Sequence, residues 1–219
     1  VNLKKKGLFL FLLLVSSLFA FAQTEGEDTL HIKADLFKFF EDRIEFYNHA
    51  EIIKGEFSLI SEKFFQILRE RGEDRKVEAR QGIFVEFETG RATAVELDYD
   101  LVEETGTLKN EVHSIIKPGE SEDSVEVFCD IMEFETLAKL YKGKNEMADR
   151  PVRIYKGNLY AECSEFVYTG DTGIIELFGK VYVYDPDNRR KLWGEYVKLF
   201  LESDTLEAKN AVMEVITKK

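Results

Sequence analysis

A short pattern recurs six times along this chain. A repeat of that kind limits the fold more than any single residue does: each copy must build the same local unit, and one copy alone cannot bury its apolar face. The pattern is an apolar residue, a spacer, a small residue, an acid, then apolar residues three and five places after the small one. The small residues are Ala34, Ser61, Ala94, Cys129, Ala161 and Gly194, spaced by 27, 33, 35, 32 and 33 residues. Two places before them stand Ile32, Leu59, Ala92, Val127, Leu159 and Leu192. Immediately after them come Asp35, Glu62, Val95, Asp130, Glu162 and Glu195, acidic in every copy but the third. The position three places on holds Phe37, Phe64, Leu97, Met132, Ser164 and Val197. The position five places on holds Phe39, Gln66, Tyr99, Phe134, Phe166 and Leu199. Ser164 and Gln66 are the two breaks in these apolar columns.

A second column falls later in each unit, where a polar or small residue precedes alternating apolar ones. Its members are Asn48 before Ala50 and Ile52, Gly82 before Ile83 and Val85, and Asn110 before Val112. Gly179 before Val181 and Val183, and Asn210 before Val212, continue it. The fourth unit is irregular around Met147–Pro151, and Val152 with Ile154 is its best copy. Units of about 33 residues fill positions 30–219 and leave no room for a second domain.

Each unit reads as two strands. Val181 and Val183 alternate with Lys180 and Tyr182, and Leu159 and Ala161 with Tyr160 and Glu162, the period of a half-buried strand. The step from the small residue to the apolar residue three places on breaks that period. A β-bulge at the acid restores it, because one extra residue keeps both flanking sets on the same face. Turn residues separate the strands at Arg71–Asp74, Lys117–Gly119, Thr169–Gly173 and Asp185–Asn188. A helix competes locally, since Leu36, Phe40, Ile44 and Tyr47 fit helical spacing, as do Phe64, Phe65, Ile67 and Leu68. Strands are preferred because the same columns recur in units that cannot be helical, filled with β-branched and aromatic residues. The predicted fold is all-β: two sheets closing on each other over an apolar interior.

At the N-terminus, Lys4-Lys5-Lys6 precede the apolar run Leu8–Ala22, which ends in Ala20-Phe21-Ala22. A basic segment, a short apolar run and a small-x-small site read as a secretory signal peptide over 1–22, cleaved after Ala22. The run is shorter than the roughly 20 residues a spanning helix prefers. The expected product is an exported domain of residues 23–219. Loss of the three lysines takes the formal net charge from −12 to −15. Such acidity argues against nucleic acid as a partner, because phosphate contacts need positive surface.

Catalytic and metal chemistry find little support. Asp171-Thr172-Gly173 is an aspartic-protease triplet in a single copy with turn residues around it, whereas that site needs two carboxylates sharing a proton. Glu103-Glu104 and the acidic run Glu120–Asp123 read as solvated loops. Asp185-Pro186-Asp187-Asn188 lacks the further acids of a calcium loop. His31, His49 and His113 are widely spaced, and the two cysteines cannot make a multi-cysteine zinc module. No metal, cofactor or catalytic residue is assigned. Cys129 is expected buried, Cys163 and Trp193 outward, and the two thiols unpaired. The basic clusters Arg189-Arg190-Lys191 and Lys142 with Lys144 read as solvated turns.

Ile32-Lys33-Ala34-Asp35, Leu159-Tyr160-Ala161-Glu162 and Leu192-Trp193-Gly194-Glu195, with Glu207–Val212 as a turn before alternating apolar residues, resemble the OstA-like repeat of the LptA family. The resemblance covers about 190 residues, though the literal Gly-Asn-Val turn of that repeat is absent. It implies a twisted β-jellyroll whose interior shields the acyl chains of a lipid A-like glycolipid. It also implies partners at the terminal edge strands, either other OstA-like domains or copies of the same chain, forming a bridge between inner and outer membranes. The cleavable leader points to the unanchored member of that family. Under this reading the lipid-facing interior residues are Ile32, Ala34, Phe37, Phe39, Phe64, Leu97, Tyr99, Met132, Phe134, Phe166, Val181, Val183, Val197 and Leu199. A net negative chain repels anionic head groups, so recognition would rest on the acyl chains. The rival reading is a structural cell-envelope β-repeat protein that assembles through edge strands and carries no lipid.

Overall fold

The computed structural model describes residues 29–217 apart from 71, 118–123 and 148. The expected leader over 1–22 and the acidic run Glu120–Asp123 lie outside the described residues. The strands are β1 (His31–Lys33), β2 (Leu36–Phe39), β3 (Arg43–Tyr47), β4 (Ala50–Lys54), β5 (Phe57–Ser61) and β6 (Phe64–Glu70). They continue with β7 (Glu73–Phe87), β8 (Gly90–Asp100), β9 (Thr105–Ile116), β10 (Val125–Glu135), β11 (Leu140–Lys144) and β12 (Val152–Lys156). The last six are β13 (Leu159–Cys163), β14 (Glu165–Thr169), β15 (Ile174–Asp185), β16 (Arg190–Phe200), β17 (Thr205–Lys209) and β18 (Val212–Val215). Every pairing is antiparallel, and the helical alternative fails in β2, β3 and β6.

The long strands β7, β8, β9, β10, β15 and β16 bend midway and serve two layers. Layer one runs β2–β3–β6, the first half of β7, the second half of β8, the first half of β9, the second half of β10, then β11–β14, the first half of β15, the second half of β16, and β17. Layer two runs β1–β4–β5, the remaining halves of β7 to β10, then β12–β13 and the remaining halves of β15 and β16, and ends on β18. The result is a V-shaped jellyroll. Its layers are joined along one side by the bends and meet along the other in a seam of hairpin turns.

The two sequence columns are the bends. Asn48, Gly82, Asn110, Gly179 and Asn210 all have positive φ, between 50° and 69°. Glycine and asparagine tolerate that conformation best, so the column is set by backbone geometry. The small residue and acid mark the alternate bends, and pairing slips at both kinds: between Cys129 and Ile131 around Asp130, and between Phe178 and Val181 around Gly179-Lys180. The extra residues let each strand change layer while its apolar set stays inward.

Two registers differ from the sequence reading. In the fifth unit the small residue before the bend is Cys163, not Ala161, and Ser164 is the bend itself, its backbone N–H donating to Gly179 O at 2.9 Å. Cys163 therefore faces inward, 1% exposed, rather than outward. In the second unit the bend takes two residues, Glu62 and Lys63. That single insertion turns Phe65 and Ile67 inward and Phe64 outward, since a one-residue slip reverses every side chain of a strand. Phe64 packs on the outer face against Tyr47, ring centroids 5.3 Å apart.

A longer echo emerges in three dimensions. Leu101, Glu104, Thr105, Lys109, Asn110 and Val112 occupy the same places as Leu201, Asp204, Thr205, Lys209, Asn210 and Val212, 100 positions later. Lys54-Gly55 corresponds to Lys156-Gly157, and both glycines turn at φ 54°. Trp193 faces outward as expected, closing a ladder on layer two that runs Phe128, Tyr155, Tyr160, Tyr182, Trp193 with centroids 5.0–6.4 Å apart.

Candidate functional site

The interior between the layers is built from rows, each running across neighbouring strands. One row of layer one reads Phe37, Phe46, Phe65, Ala79, Leu97, Leu108, Met132, Gly143, Phe166, Leu177, Val197, Ala208. A second, nearer the seam, includes Phe39, Tyr99, Gly106, Phe134, Tyr141, Tyr168, Ile175 and Leu199. Layer two answers with Ile32, Ile52, Leu59, Val85, Ala92, Ser114, Val127, Ile154, Ala161, Val183, Leu192 and Met213. Each sequence column thus becomes a strip of wall.

Of the predicted interior residues, Leu97, Tyr99, Met132, Phe134, Phe166, Val181, Val183, Val197 and Leu199 are buried. Ile32 and Ala34 are half-buried against the core at the first edge. Phe37 and Phe39 share interior rows but stand 39% and 74% exposed, because among the described residues no strand lies beyond β2 to cover them. Phe64 belongs to the outer face. The sequence reading missed Phe46, Phe57, Phe65, Phe87, Tyr141 and Tyr168, all buried. Tyr168 was legible in principle, five places after the true small residue Cys163.

Two glycines shape the wall. A Cβ at Gly106 would lie 2.4 Å from the Phe134 ring, and one at Gly143 would lie 2.2 Å from the Phe166 ring. Each ring therefore rests on the bare backbone of the neighbouring strand. In the first half of the molecule the space between layers is filled by aromatics: Phe57 stacks on Tyr99 at 4.3 Å, and Phe87 meets Phe134 edge-on at 4.8 Å.

The seam carries two mouths. The first, about 230 Å³, has a floor of Phe57, Phe87 and Tyr141 and a rim of Lys54, Glu88, Glu104 and Lys139. The second, about 390 Å³, has a floor of Leu159, Leu199, Leu201 and Leu206 and a rim of Lys156, Asn158, Asp185, Asp187 and Asp204. Corresponding lysines tie the layers together at both. Lys54 Nζ donates to Leu101 O at 2.8 Å and to the Glu104 carboxylate. Lys156 Nζ donates to Leu201 O at 2.7 Å and to the Asp204 carboxylate. The first mouth has further ties across the seam: Thr89 and Tyr141 hydroxyls at 2.6 Å, and Lys139 with Glu88 at 2.7 Å.

The electrostatics fit a passive interior. Burial pushes the Cys129 and Cys163 thiols up to about 12, so neither is a thiolate nucleophile near neutrality. The two lie on either side of Val152, with Cys163 directly opposite it, and both are free. Burial likewise raises Tyr99 to about 12. At the rim of the second mouth, burial pushes Asp185 up, but hydrogen bonds from Arg190 and Asn188 outweigh it and hold the carboxyl below its usual range. The walls offer a hydrocarbon chain dispersion contacts and shelter from water.

At both ends the rows run out uncovered. β2 exposes Leu36, Phe37, Phe39 and Phe40, and β18 and its continuation expose Val212, Met213, Val215 and Ile216. Among the described residues, the backbones of β1 and β2 at one end, and of β17 and β18 at the other, pair on one side only.

No protein-family model matches the chain. No curated protein matches it either. Among solved structures, this chain is similar to the crystal structure of LptH, described as the LptA-homologous periplasmic component of the conserved lipopolysaccharide transport device from Pseudomonas aeruginosa. The match covers 73% of this chain and 96% of that one, at 8% identity and a TM-score of 0.35. A likeness at that level assigns no family and transfers no residue.

Proposed function

We propose that this chain is a non-enzymatic, extracytoplasmic lipid carrier that shelters acyl chains between its two layers and links end to end through its terminal strands. The observation that carries the proposal is the run of apolar rows from edge to edge, exposed at both ends, with two mouths rimmed by polar groups at the seam. Each methylene buried there gains roughly 0.8 kcal/mol, so a partly inserted chain of ten carbons offsets the loss of a few side-chain contacts. A lipid A-like glycolipid is the proposed cargo, its head group left at the seam. The leader-like N-terminus supports export to the periplasm.

A second reading, an envelope filament without cargo, is favoured by one observation: the stack of Phe57, Tyr99 and Phe134 fills the interior of the first half. Native mass spectrometry of the mature chain with and without a hexa-acylated glycolipid separates the two. Lipid adducts together with an oligomer ladder are expected. A ladder without adducts would transfer the conclusion to the filament, and a bare monomer would sink both.

A further inference from the structure

Tyr168 is fully buried, 0% exposed, yet its hydroxyl has no hydrogen-bond partner among the described residues. A buried hydroxyl left unpaired destabilises a fold, and phenylalanine would escape that penalty, as Phe134 and Phe166 do in the neighbouring wall. The contrast with its row neighbour is direct. Tyr141, 5.9 Å away between ring centroids, sends its hydroxyl across the seam to Thr89 at 2.6 Å.

Position adds a second constraint. Along the seam-side row of layer one, Tyr141 lines the first mouth and Leu199 the second, and Tyr168 and Ile175 stand between them. Tyr168 is also near the end of its strand: β14 closes at Thr169, and the turn at Gly170–Thr172 follows on the seam. Tyr168 therefore stands at the seam end of the interior, one residue inside the turn. A ligand that keeps its head group in water and its chains inside places its ester or amide linkage at that depth. Burial pushes the phenol up to about 12, so it stays protonated and able to donate at neutral pH.

We infer that the Tyr168 hydroxyl is the donor that recognises the linkage carbonyl of an acyl ester or amide held in the seam between the two mouths. The inference rests on the carrier reading and adds to it a requirement on the ligand: the carbonyl that joins chain to head group is itself read. Hydrocarbon chains fill the apolar rows without regard to length register, whereas one donor at fixed depth sets how far the chain slides in.

The test is a matched pair of lipids with one head group, dipalmitoyl and dihexadecyl phosphatidylcholine, which differ in the ester carbonyl. Both are titrated against the wild-type chain and Tyr168→Phe, with thermal melting of each protein alone. The expected result is about a tenfold preference of the wild type for the ester, the worth of one neutral hydrogen bond. Tyr168→Phe should bind ester and ether equally and melt at the same or a higher temperature. An ester preference that survives in Tyr168→Phe overturns the assignment, as does a lower melting temperature, which would mean that the hydroxyl already has a partner in the free protein. Binding of both lipids without discrimination by the wild type overturns it too and leaves the carrier reading standing. Binding of neither lipid overturns the inference as well, because linkage recognition would then not operate on an acyl ester, while the carrier reading is decided separately by the hexa-acylated glycolipid.

Discussion

The two mouths share one backbone plan and differ in what closes them. The first is floored by aromatics that pack against the Tyr99–Phe134 stack and is laced by Lys54, Lys139 and the Thr89–Tyr141 pair. The second is floored by leucines, is larger, and is tied across the layers by Lys156. Rings packed face to face over bare glycine backbone leave little room to shift, whereas aliphatic side chains move aside at small cost. The same repeated frame thus supports a rigid half and a yielding half. In a carrier the second mouth is the entrance and the first is the frame that keeps the jellyroll from falling open.

The sharpest way to break this comparison is to remove one side chain from each half. Phe134→Ala should cost about 3–5 kcal/mol, since the stack cannot collapse around the gap. Leu199→Ala should sit near the lower end of about 2–5 kcal/mol, because the open mouth relaxes. Urea midpoints measure both, and equal losses would mean that the halves are equally stiff. Next comes Gly106→Ala. Its methyl would collide with the Phe134 ring, and overpacking of this kind costs about 1–3 kcal/mol. A neutral outcome would show that the aromatic half has slack.

Smaller effects are expected at the latches. Lys156→Met should lower stability by about 1 kcal/mol or less while raising uptake of a hydrophobic dye, because little else closes that mouth. Lys54→Met should leave dye uptake unchanged, since Tyr141 and Lys139 still hold the first. Dye fluorescence that rises equally in both variants would erase the distinction. Acid offers the gentlest test. Against the upward push of burial, hydrogen bonds from Arg190 and Asn188 hold the Asp185 carboxyl below its ordinary value in the folded state. Its contribution is therefore present above about pH 4 and lost as pH falls through the folded value. Dye uptake at the second mouth should stay flat from neutrality down to about pH 4 and rise below it, a rise that Asp185→Asn would abolish.

Much of this plan is written in the sequence. The asparagine and glycine column marks bends because only a few residues accept positive φ, and the apolar columns mark walls because strand period is two. Errors arise where the local pattern is ambiguous by one or two residues. Ala161-Glu162 has the small-acidic signature while the bend itself falls at Cys163-Ser164, where serine replaces the acid, and the two-residue bend Glu62-Lys63 hides the shift that turns Phe65 inward in place of Phe64. The seam is invisible for a different reason. Lys54 meets Leu101 and Lys156 meets Leu201 across 47 and 45 positions, and no periodicity announces contacts made between layers. The uncovered edges, too, appear only once strand order is known, which is why Phe37 and Phe39 read as interior and stand in the open.

The alternating bends carry a consequence for size. Each full crossing runs from the seam through one bend and back to the seam, and neighbouring crossings run in opposite senses, so removing or adding a neighbouring pair of crossings leaves flush edges and an unbroken interior. Strands stack about 4.8 Å apart, and each such pair changes the span by roughly 10 Å. A molecule built this way works as a graduated ruler: its length can be reset in whole steps, by duplication or loss of one unit.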